Sequence, residues 1–149
     1  MKKWKFSLET VRQLKQRIEE EAAQKHSRAL IQLSKAKAAL AETENELNAT
    51  ALMQFSNRSS HNAQQLIQFN QYFDLLEKQR KERLELVLRA EKETTLARAA
   101  LEKAARDREI LERLYGRQRA EHQFHVAKQE QKWVDDIAQH LKRGLLNAV

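Results

Sequence analysis

The histidines near the C-terminus come closest to forming a site for metal chemistry. His122 and His125 lie three positions apart with Glu121 beside them, so a helix would place the two imidazoles on one side. A zinc site takes three or four such ligands, and no third or fourth is evident. The zinc-protease pattern, two histidines four positions apart with a glutamate between them, is also absent from the sequence. We therefore expect no metal site and no cofactor.

Carboxylates and thiols offer no better basis for catalysis. Asp135-Asp136 and Glu19–Glu21 are spaced like charges on a helix surface, and the sequence contains no cysteine. Only two glycines and no proline occur among the 149 residues, so the chain lacks the residues that build tight turns and phosphate-binding loops. Because a pair of helices provides no concave scaffold for a reaction, we predict that the protein is not an enzyme.

The charge balance indicates acidic partners. The sequence has 28 Lys and Arg against 21 Asp and Glu, a net charge of +7, which favours an acidic surface without choosing its kind. The basic run Lys78–Arg83 is interrupted by Glu82 and has apolar heptads on both sides, unlike the basic helix of a zipper protein that reads DNA. We expect no nucleic-acid binding. No apolar stretch has the length of a signal peptide or a membrane span, which predicts a cytoplasmic protein.

Two amphipathic segments predict an all-α fold. The first covers about residues 7–55 and the second about residues 62–143, where Gly144 predicts the end of the helix. The apolar stripe of the first segment repeats every seven residues from Ala22 to Leu47. Before Ala22 it begins with Val11, Leu14 and Ile18. Between Ile18 and Ala22 the register slips by four residues, which predicts a stutter in a coiled coil.

The second segment keeps a seven-residue repeat over fifteen seam positions, eleven of them apolar. A repeat held for this length predicts a left-handed supercoil with a partner helix. Three arginines lie on the seam, where a guanidinium must reach solvent, a carboxylate or a partner. These are Arg80, Arg83 and Arg108. The full seam is Leu66, Phe69, Phe73, Leu76, Arg80, Arg83, Val87, Ala90, Thr94, Ala97, Leu101, Ala104, Arg108, Leu111 and Tyr115.

A short polar link joins the two segments. Residues 56–61 are polar, Asn57 can end the first helix, and Asn62 with Gln65 has the spacing of a capping box that starts the second. The simplest result is a single domain over residues 1–149: a long two-helix antiparallel coiled-coil hairpin with a C-terminal helical overhang. The overhang would cover about residues 117–145. The alternative is one continuous helix that dimerises in parallel.

The region around the link is depleted of charge. Between Leu47 and Phe73 the only Asp, Glu, Lys or Arg is Arg58, while amides and aromatic side chains are frequent. Depletion of charge with enrichment of aromatic residues is typical of an interface core. Tyr72 lies off the seam, so hairpin packing does not account for it. We interpret this region as a tip that binds a partner.

The order of several short motifs resembles a known family. The C-terminal segment carries Leu111-Glu112-Arg113-Leu114, then Arg117-Gln118, and then Glu130–Gln139; the opening Phe6–Val11 and the central Phe73–Lys78 agree with it. In this order and over nearly the whole chain, these motifs resemble the FliJ family of the flagellar type III export apparatus. The related stalk proteins of injectisome secretion systems are an alternative.

The resemblance implies a function without chemistry of its own. Members of the family resemble the central stalk of rotary ATPases: they bind and promote the hexameric export ATPase, contact the membrane export-gate protein and bind export chaperones. Such a protein would be cytoplasmic, associated peripherally with the inner membrane, and monomeric when free. By position, the resemblance assigns the gate surface to Tyr72, Phe73, Leu76, Gln79 and Arg83. It assigns the ATPase-ring surface to Arg117, Gln131, Lys132 and Asp135. A basic coiled-coil homodimer that binds nucleic acid is the alternative from another class.

Overall fold

Two long helices form the fold. The computed structural model describes residues 3–56 and 62–148, and within these ranges it contains α1 (Glu9–Ser56), α2 (Ala63–Asn147) and no strand. Most of the predicted link, including Asn57, lies outside the described residues. No helix in the described ranges has an apolar stretch long enough to cross a membrane.

The two helices begin differently. The Asn62 side-chain oxygen accepts from the Gln65 amide at 2.9 Å, and the Gln65 side chain accepts from the Asn62 amide at 3.2 Å. This reciprocal pair confirms the predicted capping box. At the start of α1 the Arg12 amide donates to the Leu8 carbonyl at 2.8 Å, and the helix begins at Glu9.

The chain divides into two compact units. One contains the residues up to Ile18 and those from Ala104 onwards; the other contains Glu19–Lys103. We call them the terminal unit and the central unit. That residues 1–149 form a single domain stays a prediction.

Contacts within each unit show that α1 and α2 run antiparallel. In the central unit Tyr72 contacts Glu46, and further along α2 Glu91 contacts Lys37, which lies earlier in α1. In the terminal unit Arg12 contacts Glu112 at 2.8 Å and Lys15 contacts Asp107 at 3.8 Å. In each unit, contacting residues that lie later in α2 have partners that lie earlier in α1. This order confirms an all-α helical hairpin. The alternative of one continuous helix is wrong.

The seven-residue seam of α2 is confirmed over nearly its whole length. From Phe69 to Tyr115 every position of the series is buried or half-buried, whereas Leu66 is exposed. Among the most buried side chains of α2 are Leu76, Val87 and the small Ala90 and Ala104. Alanine at the seam lets a partner helix approach closely.

The predicted stutter in α1 is wrong. The less exposed positions of α1 follow one unbroken alternation of three and four residues: Arg12, Lys15, Glu19, Ala22, His26, Ala29, Leu33, Ala36, Leu40, Thr43 and Leu47. Val11, Leu14 and Ile18 are instead exposed. Arg12 and Lys15 can occupy the seam because each cation lies beside a carboxylate of α2. Arg12 contacts Glu112, and Lys15 contacts Asp107.

The C-terminal end of α2 also differs from the prediction. The helix passes through Gly144 and ends at Asn147, and Gly144 keeps a negative φ, so it does not act as a helix stop. The unpaired part begins later than residue 117, because the segment before α1 packs along α2 as far as His122, which stacks on Trp4. From residue 127 to 148 every residue is exposed.

Replacing one of two neighbouring leucines tests the seam. Leu76 is 2% exposed and Leu75 is 51% exposed, so only Leu76→Ala removes buried methyl groups. We expect Leu76→Ala to lower the free energy of unfolding by about 2–4 kcal/mol, and Leu75→Ala to lower it by less than about 1 kcal/mol. Urea unfolding followed by far-UV circular dichroism measures both values. Equal losses for the two variants would contradict the register.

Candidate functional site

The five residues assigned to the gate surface differ sharply in accessibility. Tyr72 is 43% exposed, Phe73 and Gln79 are half-buried, and Leu76 is almost fully buried against α1. Arg83 is half-buried and occupied by contacts with α1. Tyr72 is therefore the member of this set that an incoming protein meets first. The role of these residues in gate binding stays a prediction.

Tyr72 is held in place by a carboxylate of α1. Its hydroxyl donates a hydrogen bond to the Glu46 carboxylate at an O···O distance of 2.8 Å. This bond, which only the neutral phenol can make, raises the pKa of Tyr72 above its usual 10, with burial and the charge of Glu46 adding to the shift. The bond thus links the partly exposed Tyr72 side chain to α1.

Arg83 is anchored by polar groups of α1. One nitrogen of its guanidinium donates to the Ala39 carbonyl at 2.9 Å and also to the hydroxyl of the buried Thr43. Thr43 in turn donates to the Ala39 carbonyl at 3.1 Å. A charged group on a helix seam is tolerated because these acceptors replace part of its lost hydration.

Arg80, which also lies on the seam, is accommodated by different contacts. One of its terminal nitrogens lies 3.5 Å from the Glu77 carboxylate, one helical turn earlier, while its buried Nε has no hydrogen-bond partner. Arg80, Glu77 and Phe73 line a shallow groove of about 330 Å³ whose other wall comes from Leu47 and neighbouring residues of α1. Of the three seam arginines, Arg108 is also half-buried.

Sequence reasoning missed part of the exposed apolar surface in the central unit. Ile67 and Leu75 are exposed by more than half, and Phe55 by three quarters. Ile67 and Leu75 lie on α2, where they fall between the positions of the seven-residue series. That signal was available in the sequence: a large apolar residue outside a two-helix seam has no partner within the hairpin.

The four residues assigned to the ATPase ring are exposed but do not form one cluster. The Gln131 amide donates to the Asp135 carboxylate at 3.2 Å, one turn along α2, and Lys132 is adjacent in sequence. Arg117 lies fourteen residues before Gln131, which is about 21 Å along a helix. Fourteen residues are close to four full turns, so Arg117 and Gln131 lie on a similar side of α2.

The unpaired part of α2 is amphipathic. We call residues 127–148 the C-terminal extension. All of its large apolar side chains are exposed. Leu146 lies on another side of the helix, whereas the five others recur at spacings of three and four residues and form one continuous stripe. They are Trp133, Val134, Ile137, Leu141 and Leu145. The lack of a side chain at Gly144 leaves a shallow hollow between His140, Leu141 and Leu145.

An aromatic cluster in the terminal unit was not predicted. Tyr115 packs against Trp4 and Phe6, each at a ring-centroid distance of 5.3 Å, and His122 stacks on Trp4 at 6.0 Å. The guanidinium of Arg12 lies over the Tyr115 ring at 4.3 Å. The available signal was the presence of two aromatic residues just before α1, where a hairpin brings them level with Tyr115.

Ionic contacts continue this cluster along α1. Hydrogen bonds from Arg12 to Glu112 and then to Glu9 raise the pKa of the Arg12 side chain above its ordinary value. The two histidines considered for a metal are placed in ring contacts, His122 with Trp4 and His125 with Phe124 at 6.1 Å. Among the described residues no three His, Asp or Glu side chains are grouped so that they could hold a metal ion.

Comparison with known proteins matches nearly the whole chain to one family. The family model described as Flagellar FliJ protein matches residues 4–144. The matched range includes both helices except the last residues of α2. No curated protein and no solved structure matches the chain.

The titration of Tyr72 tests its contact with Glu46. The chain has only two tyrosines, so in a Tyr115→Phe background the phenolate absorbance reports Tyr72 alone. We expect a midpoint above 10, which returns towards 10 when Glu46→Ala removes the acceptor. Because the folded pKa is raised, the stabilisation by this bond is present below pH 10 and is lost as the pH rises through the raised pKa. The same midpoint with and without Glu46 would show that the bond is absent, provided that far-UV circular dichroism shows intact helices.

Proposed function

Because the chain belongs to the FliJ family of flagellar export components, we propose that it acts as the stalk of the flagellar type III export apparatus. In this proposal it binds the hexameric export ATPase, promotes assembly and activity of the hexamer, and couples it to the membrane export gate. It contributes no chemistry of its own. Its place is the cytoplasmic side of the inner membrane, where it associates peripherally.

The C-terminal extension carries this proposal. It is a helix with no partner in the terminal unit, and its apolar stripe around Trp133, Ile137 and Leu141 is exposed. Such a face gains stability when another protein covers it. Lys132 and Asp135 lie off this stripe, so a surrounding ring of subunits would meet both the apolar and the charged side of one helix.

The gate surface is proposed for the exposed side of the central unit. Tyr72 offers a partly exposed ring that is hydrogen-bonded to Glu46, and Gln79 lies about two turns further along the same helix. Leu76 and Arg83 support this surface from within, because their side chains hold α2 against α1. Phe73 contributes the part of its ring that borders the shallow groove.

Two further roles complete the proposal. Free export chaperones would be carried by the same protein between rounds of export, and the protein would be monomeric when free. The flagellar system is proposed ahead of the injectisome because the matching family model is that of a flagellar protein.

Charge reversal on α2 tests ring binding. With a purified export ATPase, we expect the wild-type chain to raise the rate of ATP hydrolysis. The double variant Arg117→Glu/Lys132→Glu should need about ten times more protein for half-maximal stimulation, because both exposed charges would oppose the ring surface. Steady-state phosphate release over a titration measures this. The central-unit variant Lys92→Glu/Lys81→Glu makes the same change in net charge and should stimulate like the wild type. No stimulation by the wild-type chain would contradict the proposal.

Substitution of Tyr72 tests gate binding separately. Tyr72→Ala removes a ring that is 43% exposed and its bond to Glu46 but leaves the buried seam residues in place. We therefore expect helicity to persist and affinity for the soluble part of the gate protein to fall about tenfold. Leu96→Ala removes another exposed apolar side chain of the central unit and serves as the control. Isothermal titration calorimetry measures both affinities. Equal affinity for the wild type and Tyr72→Ala would show that the gate surface lies elsewhere.

A further inference from the structure

The terminal unit carries a second apolar stripe outside the seam. Val11, Leu14 and Ile18 alternate by three and four residues, which is the spacing of a helix–helix contact. The seam beside them is formed by Arg12 and Lys15, and Leu14 is 53% exposed. This stretch of α1 therefore has two faces with heptad spacing, and α2 covers only one of them.

The register places apolar residues of α2 beside this stripe. If the seam residues Arg12 and Lys15 are heptad positions a and d, then Val11 and Ile18 are g and Leu14 is c. On α2 the seam residues Leu111 and Tyr115 take heptad positions d and a, so Leu114 is g and Ile110 is c. In an antiparallel pair the two g edges meet on one side, so these residues share one flank. The Arg12–Glu112 contact sets Leu14 level with Ile110, which is also exposed.

The opposite flank is ionic. Glu9 and Glu112 occupy e positions there, and Arg12 bridges both, at 3.1 Å and 2.8 Å respectively. Charged pairs thus close this side of the unit. The other side is lined by the apolar side chains together with Asp107, a g residue whose carboxylate lies 3.8 Å from the Lys15 ammonium and is neutralised by it. An asymmetry of this kind leaves one groove between the helices in which a third helix can bury an apolar face.

Outside the Lys15–Asp107 pair, the charges that border the apolar flank are positive. Position f of each helix borders the flank on the outside, and so does the next c position of α2 after Ile110. Arg17 and Arg113 occupy the f positions, and Arg117 occupies this c position. No Asp or Glu occupies a c or f position of this stretch. Arg113 is largely exposed, with Glu109 at 4.0 Å. An incoming helix with carboxylates beside its apolar stripe would meet complementary charge on both sides.

We propose that this flank, formed by Val11, Leu14, Ile18, Ile110 and Leu114, binds an acidic amphipathic helix of a partner protein. The bound helix completes a local three-helix bundle with α1 and α2. The stripe from Val11 to Ile18 is about 10 Å long, so the contact spans about two turns of partner helix. This surface is distinct from the C-terminal extension and from Tyr72, and it goes beyond the proposed stalk function.

Binding of a designed peptide to the full chain tests the proposal. The probe is a fluorescein-labelled 21-residue helix with leucine at a and d and glutamate at e and g; a second peptide has lysine in place of glutamate. Fluorescence anisotropy should show saturable binding of the glutamate peptide and about tenfold weaker binding of the lysine peptide. Leu14→Gln/Ile110→Gln should weaken the glutamate peptide at least tenfold. Leu96→Gln/Leu88→Gln, which changes two exposed leucines of the central unit, should bind like the wild type.

Each alternative outcome overturns a defined part of the proposal. Equal binding of both peptides would show that the partner is not selected by acidic charge. Equal weakening by the central-unit control would show that the peptide binds elsewhere. If light scattering shows a dimer that Leu14→Gln converts to a monomer, the occupant is a second copy of this chain. ATPase stimulation is measured in a separate experiment. A lack of peptide binding therefore contradicts this proposal and does not affect the test of the stalk function. Far-UV circular dichroism confirms that each variant is folded.

Discussion

Two helices packed against each other can bury only one stripe of each. In this protein that stripe contains Leu47, Leu76 and Val87, and nearly every other side chain remains in contact with water. A two-helix fold has no second layer in which extra apolar residues could be hidden. Large apolar side chains outside the seam therefore remain on the surface, where they are candidates for contact with a partner. Ile67, Leu75 and the stripe of the C-terminal extension are of this kind.

The seam itself is unusually polar for a structural contact. In the central unit Arg83 reaches the Ala39 carbonyl and the hydroxyl of Thr43, and in the terminal unit Arg12 and Lys15 reach carboxylates of α2. Each of these bonds requires one particular alignment of the helices, whereas leucines and alanines tolerate slippage. Polar seam residues can thus fix the register at some expense of stability.

The features that depend on local sequence rules were predicted correctly. The capping box of Asn62 and Gln65 and the long seam of α2 follow from local rules, and the structure contains both. The reasoning failed for Val11, Leu14 and Ile18, because apolar character was taken to mean the seam. Only the position of Glu112 and Asp107 on the other helix shows that two cations belong there instead.

The candidate site was predictable to a lesser degree. The charge-poor stretch led to Tyr72, which is exposed, but the side chain of Leu76 is directed into the hairpin and Arg83 is taken up by α1. A position on a helix can be assigned from the sequence, whereas its accessibility depends on the partner helix. Gly144 gave the wrong end of α2 because a glycine inside a helix costs only about 1 kcal/mol, and the helix continues to Asn147.

The contact of Trp4 and Phe6 with Tyr115 has a consequence for biosynthesis. More than a hundred residues separate these rings along the chain, so on the ribosome the first aromatic residues emerge long before their partner is translated. At about 5–20 residues per second the delay is at least several seconds. During that interval the start of the nascent chain exposes its tryptophan and phenylalanine to chaperones and proteases. The aromatic contact can form only after Tyr115 has been translated.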